Sequence, residues 1–352
     1  QNYVFGAGSG NVVSGAAQSS ISNADLTWEK TKQYDLGLEL SVLDSRLTFT
    51  VDAYMRKTTD LLLQVDVPSI TGFTNAWRNI GKLDNKGLEF SIMSRNISGK
   101  DFSWNTTLSV TWSKEKIEKL PDGDLISENL FVGHSIKSIY GYKYTGIWGT
   151  NTPQDILDAY GVKPGFIQIE TLEKDGDGGV HKYSTNDRQV LGHTNPDWIV
   201  GLNNTFTYKN FDLSVFAMAR YGQTINSDLL GYYTAEQSVT TNQLAGADYW
   251  TENNQGAYYP APGTGSEQST VISALRVRDG SFIKVKNITL GYTFPVNISR
   301  KALMEKCRIY ATAYNPFIYV KDKQLKGTDP ETNGSDAFPT FRQFVFGVNL
   351  TF

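Results

Sequence analysis

The chain has 352 residues, 39% apolar and 12% aromatic, and a formal charge of −3 from 33 basic and 36 acidic side chains. This balance excludes the basic excess that a nucleic-acid partner demands, and the single Cys307 excludes an intrachain disulfide framework or a multi-thiolate metal site. No run approaches the roughly eighteen consecutive apolar residues of a membrane helix. A spanning β-barrel stays open, because its strands put only every second side chain into lipid.

Residues 1–25 are rich in Gly, Ser, Ala and Asn and read as a loop. Period-two alternation then begins. Tyr34, Leu36, Leu38, Leu40 and Val42 share one face, as do Leu47, Phe49, Val51, Ala53 and Met55 on the next run. After a polar stretch over 60–84, alternation resumes from Leu88 to Ile92 and through Asp101 to Ser113, where Phe102, Trp104, Leu108, Val110 and Trp112 oppose Ser, Thr and Asn. A strand at Leu125 to Val132 and another at Ile139 to Trp148 are expected next, followed by a loop over 150–194. Further runs cover Trp198 to Tyr208, Phe211 to Ala219, 281–294, 305–318 and 341–352, separated by loops at 223–279 and 321–340.

The turns are asymmetric. Leu43 to Arg46, Ser98 to Asp101 and Lys209-Asn210 join strands with a few turn-forming residues, while the opposite ends carry the long loops. Short turns at one end and long loops at the other are the pattern of outer-membrane barrels. Several runs also reach the roughly nine to eleven residues that a spanning strand needs, against about five or six for a globular one. Aromatic residues gather near strand ends, where an interfacial girdle sits. The fold class is therefore all-β, a transmembrane antiparallel β-barrel. About eleven strands are counted, and an odd number leaves the barrel unclosed by this chain alone.

Several segments resemble one family. Leu26-Thr27-Trp28-Glu29-Lys30-Thr31, Asn79-Ile80-Gly81 through Asn85-Lys86-Gly87-Leu88-Glu89, Tyr140 to Tyr144 with Gly146-Ile147-Trp148, Asn195-Pro196-Asp197 with Gly201 to Asn204, Arg278-Asp279-Gly280-Ser281-Phe282 and Phe346 to Phe352 are similar to the C-terminal barrel half of SusC/RagA-type TonB-linked outer-membrane transporters. The resemblance implies about half of a 22-stranded barrel, with 1–25 an extracellular loop segment and 26–352 barrel wall and loops. It further implies import of oligosaccharides or peptides, a SusD-like surface lipoprotein as lid, an oligomeric complex in outer-membrane lipid, and coupling to TonB. The plug and the remaining strands would be carried by an N-terminal part on another chain. A passive porin-like barrel and a soluble carbohydrate-binding β-sandwich are the competing readings.

Candidate chemistry is sparse. Trp77, Tyr232, Tyr233, Trp250, Tyr258 and Tyr259 are the aromatic loop residues suited to substrate contact, with packing of the loops as the alternative. Phe344, Phe346, Val348, Leu350 and Phe352 resemble the terminal strand signal read by the barrel-assembly machinery. Asp175 and Asp177 lie in an acidic Gly-rich stretch with some likeness to a calcium loop, but Ser184 stands where a bidentate carboxylate belongs, so a solvated turn fits better. His134, His181 and His193 have no partners at zinc-ligand spacing. With no nucleophile elbow either, no enzyme and no cofactor is expected.

Overall fold

A computed structural model describes residues 2–7, 11–16, 21–121, 123–172, 182–232, 246–264, 267–335 and 340–352. Its principal element is a sheet of nine strands: β1 (Lys30–Val42), β2 (Leu47–Thr59), β3 (Lys82–Ser98), β4 (Phe102–Lys119), β5 (Trp198–Tyr208), β6 (Phe211–Tyr221), β7 (Phe282–Thr293), β8 (Lys306–Val320) and β9 (Gln343–Thr351). The strands lie in the sheet in that same order, an up-and-down meander with β1 and β9 at its edges. Among the described residues no helix is long and apolar enough to cross a membrane, which says nothing about strands.

Nine strands replace the expected eleven, and two corrections account for the difference. Leu125 to Val132 is not a barrel strand: Leu125 and Leu130 bridge across a tight turn in which Asn129 takes a left-handed backbone (φ 55°). The Ile139 to Trp148 run splits into strands Ser138–Tyr142 and Tyr144–Ile147, which pair with Arg188–His193 and Ile167–Ile169 in two small sheets of their own. Strand β4 therefore pairs directly with β5, and everything over 120–197 is one excursion from the loop end.

The chain divides into two compact units. The first holds residues 1–36, 53–87 and 114–136. Here a hairpin pairs Leu62–Asp66 with Asn75–Asn79, and Ile117, Leu120 and Leu130 form a small core with Leu63, Leu83, Leu125 and Ile136. Asn79 explains part of its motif. Its Oδ1 accepts from the Thr27 amide at 2.6 Å while its Nδ2 donates to the Thr27 carbonyl at 2.7 Å, and Glu29 Oε1 accepts from the Leu62 amide at 2.7 Å. The Tyr54 ring lies across Gly87, where any Cβ would collide with it.

The second unit comprises 37–52, 88–113 and 137–352. Cross-strand register fixes its two faces. One row at the turn end runs Phe102, Tyr208, Phe211, Tyr292, Ile309, Val348, and at the loop end Trp112 pairs with Trp198 and Trp198 with Tyr221. Phe211 and Tyr292 rings are 4.7 Å apart, and Trp112 and Trp198 6.3 Å. Between them lie Trp104, Leu108, Val110, Val200, Leu202, Phe206, Leu213, Val215, Ile288, Leu290, Ala311 and Phe346 on the same face. From Tyr208 to Trp198 the strand rises about 33 Å. At the roughly 40° tilt of membrane barrels this spans about 25 Å, the height of the apolar band in that class.

One polar group interrupts the band. Asn204 accepts from Trp104 Nε1 at 2.9 Å and Thr106 Oγ1 at 2.7 Å. Thr106 in turn accepts from Asn96 Nδ2 at 2.7 Å, and Asn96 from Ser94 at 2.8 Å. These groups form one hydrogen-bonded chain. The opposite face is polar: Arg308 grips Asp212 at 2.9 and 2.5 Å, and Lys284, 2% exposed at its side chain, meets Asp329 at 2.5 Å and Glu331 at 2.9 Å from the last loop.

Candidate functional site

The loops of the second unit are thick enough to own a core. Tyr142, Ile167, Ile169, Ile225, Leu230, Tyr258, Tyr259, Ile272, Leu275 and Leu325 cluster there, and a neighbouring group joins Trp148, Leu157 and Phe166. Helix α1 (Gln154–Tyr160) presents Leu157 to that second group and ends at Gly161, whose left-handed backbone (φ 68°) stops it.

Beside the core, at the loop end of β5 to β8, is a cavity of about 650 Å³. Its walls come from segments far apart in the chain: Tyr142 to Tyr144, Gln189 to Leu191, Tyr221 to Thr224, Val277 to Asp279, and Lys321-Asp322. Three cations line it, and each is neutralised. Arg278 donates to Asp322 at 2.7 and 3.1 Å, Lys321 meets Asp279 at 2.6 Å, and Lys143 meets Glu170 at 3.2 Å. Glu170 also accepts from Gln189 at 2.7 Å.

The electrostatics follow from these contacts. Burial pulls the Arg278 guanidinium down, but its Asp322 hydrogen bonds together with the charges of Tyr258, Asp322 and Tyr144 hold it above its ordinary value. Burial likewise pushes the Asp279 carboxyl up, yet Lys321 and Ser281 hold it below the usual carboxylate range. Tyr144 is pushed up to about 12 by burial, against the opposing charge of Arg278, and burial pushes Tyr258 up further. The cavity thus presents aromatic faces, amides and neutralised ion pairs.

The aromatic residues singled out from sequence are dispersed. Tyr258 and Tyr259 lie together in the loop core, 7% and 5% exposed, with rings 4.9 Å apart. Trp250 is equally buried, its amide donating to the Tyr259 carbonyl at 2.9 Å. Trp77 is half-exposed on the hairpin of the first unit. Tyr232 closes the short helix Asp228–Tyr232, and Tyr233, Asp175, Asp177 and His181 lie outside the described residues. Phe344, Phe346, Val348 and Leu350 stand on β9 opposite Ala313, Ala311, Ile309 and Cys307, with the exposed Phe352 just beyond. Among the described residues no group of three or more His, Cys, Asp or Glu is arranged to hold a metal ion.

Sequence alone does not mark the ion pairs around Arg278 and Lys321 as a site. The available signal was the segment Arg278 to Phe282, which fits the family pattern and turns out to supply two cavity-lining charges.

Comparison with known proteins agrees with this architecture. The model of the family described as "TonB dependent receptor-like, beta-barrel" matches residues 2–315. TonB-dependent receptor P3 of Formosa agariphila is 33% identical over 97% of this chain, and TonB-dependent receptor SusC of Bacteroides thetaiotaomicron is 32% identical over 94%. The chain spans only 36% and 32% of those two proteins. Among solved structures, that of the RagAB peptide transporter superposes over the whole chain and 38% of its own, with a TM-score of 0.80 at 23% identity, a likeness of fold. A barrel sheet with a 25 Å apolar band and a match over most of its length place this chain in the TonB-dependent receptor-like β-barrel family.

Proposed function

We propose that this chain forms wall and extracellular loops of an outer-membrane importer of large, neutral polar nutrients, oligosaccharides or peptides. The observation that carries the reading is the pairing of an apolar band of bilayer height with a loop-end cavity whose three cations are all neutralised. An anionic solute would meet no net attraction there, because the cations are paired and Asp197 adds a further carboxylate to the wall. Sugar rings or peptide groups would find the aromatic faces of Tyr142, Tyr144 and Tyr221 and the amides of Gln189 and Gln223. The protein transports and does not catalyse. In this reading a SusD-like lipoprotein covers the loops, a plug closes the lumen, and TonB supplies the energy, as the family resemblance implies; the names of the SusC and RagAB relatives support it.

The test is calorimetric titration of the full-length transporter, purified from outer membranes with whatever lipoprotein accompanies it, against oligosaccharide and oligopeptide panels. Saturable binding of one neutral class, weakened about tenfold in a Tyr221→Ala, Gln189→Ala double variant, is expected. Binding of neither class, or recovery of the protein only from the aqueous fraction, would overturn the reading.

A further inference from the structure

The β8–β9 loop is tied to the polar face of the wall by charge. Lys284 pairs across the sheet with Met218 of β6 and Ile318 of β8. Met218 alternates with Ala217 and Ala219, which stand beside Leu202 and Val200 of the apolar band, so Lys284 belongs to the opposite face. Its ammonium donates to Asp329 Oδ2 at 2.5 Å and Glu331 Oε2 at 2.9 Å, and Lys286 donates to both Glu331 oxygens at 3.0 and 2.9 Å. Both carboxylates belong to residues 328–333, Thr-Asp-Pro-Glu-Thr-Asn, a strap whose one apolar side chain is Pro330.

The strap stands between two chambers. On one side, Gln223, Lys321 and Asp322 line the loop-end cavity. On the other is a cavity of about 410 Å³ with walls from Ile225, Lys284, Ile318, Thr328, Asp329 and Thr332. The partition is made by the strap and the segment from Gln223 to Asp228. Gln223 Nε2 donates to the Pro330 carbonyl at 3.5 Å, and the Asp228 amide donates to the Gly334 carbonyl at 3.0 Å.

The loop is anchored in two ways. Leu325, fully buried in the loop core, fixes the stretch before the strap. Beyond it, Gly327 (φ 89°) and Gly334 (φ 84°) bracket the strap, and glycines in left-handed conformation readily absorb a change of backbone direction. Apart from Pro330, the side chains that hold the strap to the wall are ionic. Releasing an ion pair rehydrates both partners, which offsets much of the lost attraction. Withdrawing apolar side chains into water has no such offset. We propose that residues 328–333 are a movable gate between the loop-end cavity and the lumen, latched shut by Lys284 and Lys286. The proposal rests on the import reading above and adds the step by which a solute leaves the cavity.

The test uses the full-length transporter on intact cells, carrying Cys307→Ser and one reporter cysteine, probed with a neutral poly(ethylene glycol) maleimide too large for porins. Val190→Cys reports on the loop-end cavity and Ile318→Cys on the chamber behind the strap. With the latch intact, modification should be fast at 190 and slow at 318. Lys284→Met with Lys286→Met should speed modification at 318 about tenfold and leave 190 unchanged. The swap Lys284→Glu with Asp329→Lys should return 318 to the slow rate. Glu331→Gln, which keeps Lys284 on Asp329, should give a smaller rise at 318, and it decides the matter if the Lys284→Met, Lys286→Met variant does not reach the membrane. Equal rates at 190 and 318 with the latch intact, a rate at 318 indifferent to the lysine or Glu331 changes, a matching rise at 190, or a swap as fast as the unlatched variant would overturn the gate. If the protein is absent from the outer-membrane fraction, the parent reading falls with it; if it is inserted but 318 ignores the latch, the gate alone fails.

Discussion

The Arg278 guanidinium lies 4.7 Å from the centroid of the Tyr258 ring, and its Nη1 donates to the Tyr258 hydroxyl at 3.2 Å. Asp322, only 13% exposed at its side chain, takes the other edge of the same guanidinium. One cation therefore ties β7's approach, the Tyr258 loop and the β8–β9 loop together. Arg278→Ala leaves Asp322 buried and unpaired, and such truncations typically cost about 3 kcal/mol. The expected result is loop opening: faster tryptic cleavage near Lys321 to Lys326 in membrane-embedded protein, with the barrel wall still resistant. Arg278→Lys should recover only part, since lysine lacks the planar fork.

The loops should also be bounded in pH on both sides. At the acid end, Asp279 titrates below its usual range, so its contribution is present above the unfolded carboxylate value near 3.9 and is lost as pH falls through the lower folded value. At the alkaline end, Tyr144 and Tyr183 are each pushed up to about 12, first of all by burial. Their contribution is full below about pH 10 and declines as pH rises from there to 12. Tyrosinate absorbance followed alongside loop proteolysis should show a late-titrating pair whose ionisation coincides with loop release.

Gly87 makes a steric prediction. Gly87→Ala drives a methyl into the Tyr54 ring and should destabilise the folded barrel by about 1–3 kcal/mol, the usual cost of overpacking. The Tyr54→Ser, Gly87→Ala double variant should recover part of that loss in urea unfolding from vesicles. If the two losses simply add, the ring does not set the glycine requirement.

On the lipid face, Asn204→Leu removes the acceptor for Trp104 and Thr106. Stranded donors in hydrocarbon cost about 1–3 kcal/mol. Adding Trp104→Phe removes one of the stranded donors, with Thr106 kept because it accepts from Asn96 Nδ2, and should return part of the lost stability, measured by the same unfolding assay.

How far the sequence reaches is visible in particular residues. Alternation located all nine wall strands, because a sheet with one face in lipid and one in a polar lumen imposes period two over long runs. It misplaced Leu125 to Val132, where leucines at similar spacing close a turn over Ile117, and Ile139 to Trp148, which alternates honestly but pairs with strands of the loop excursion. Period two identifies a strand and is silent on its sheet. The same blindness affects the site. Aromatic residues in polar stretches leave substrate contact and loop packing both open, and Trp250, Tyr258 and Tyr259 are buried where those stretches pack on themselves. The glycines and Asn79 of the family-like segments were noticed as pattern only; the structure supplies their reasons in Tyr54 and Thr27.

The meander order of the wall has a consequence for how the sheet is put together. At the turn end, β1–β2, β3–β4 and β5–β6 close with a few residues, but β4 and β5 must find each other across roughly eighty. On loop-closure entropy alone that junction costs about 3 kcal/mol more than a three-residue turn. Hairpins should therefore form early and as units, and the β4–β5 seam should zip late, once the excursion between them has folded and shortened the effective tether.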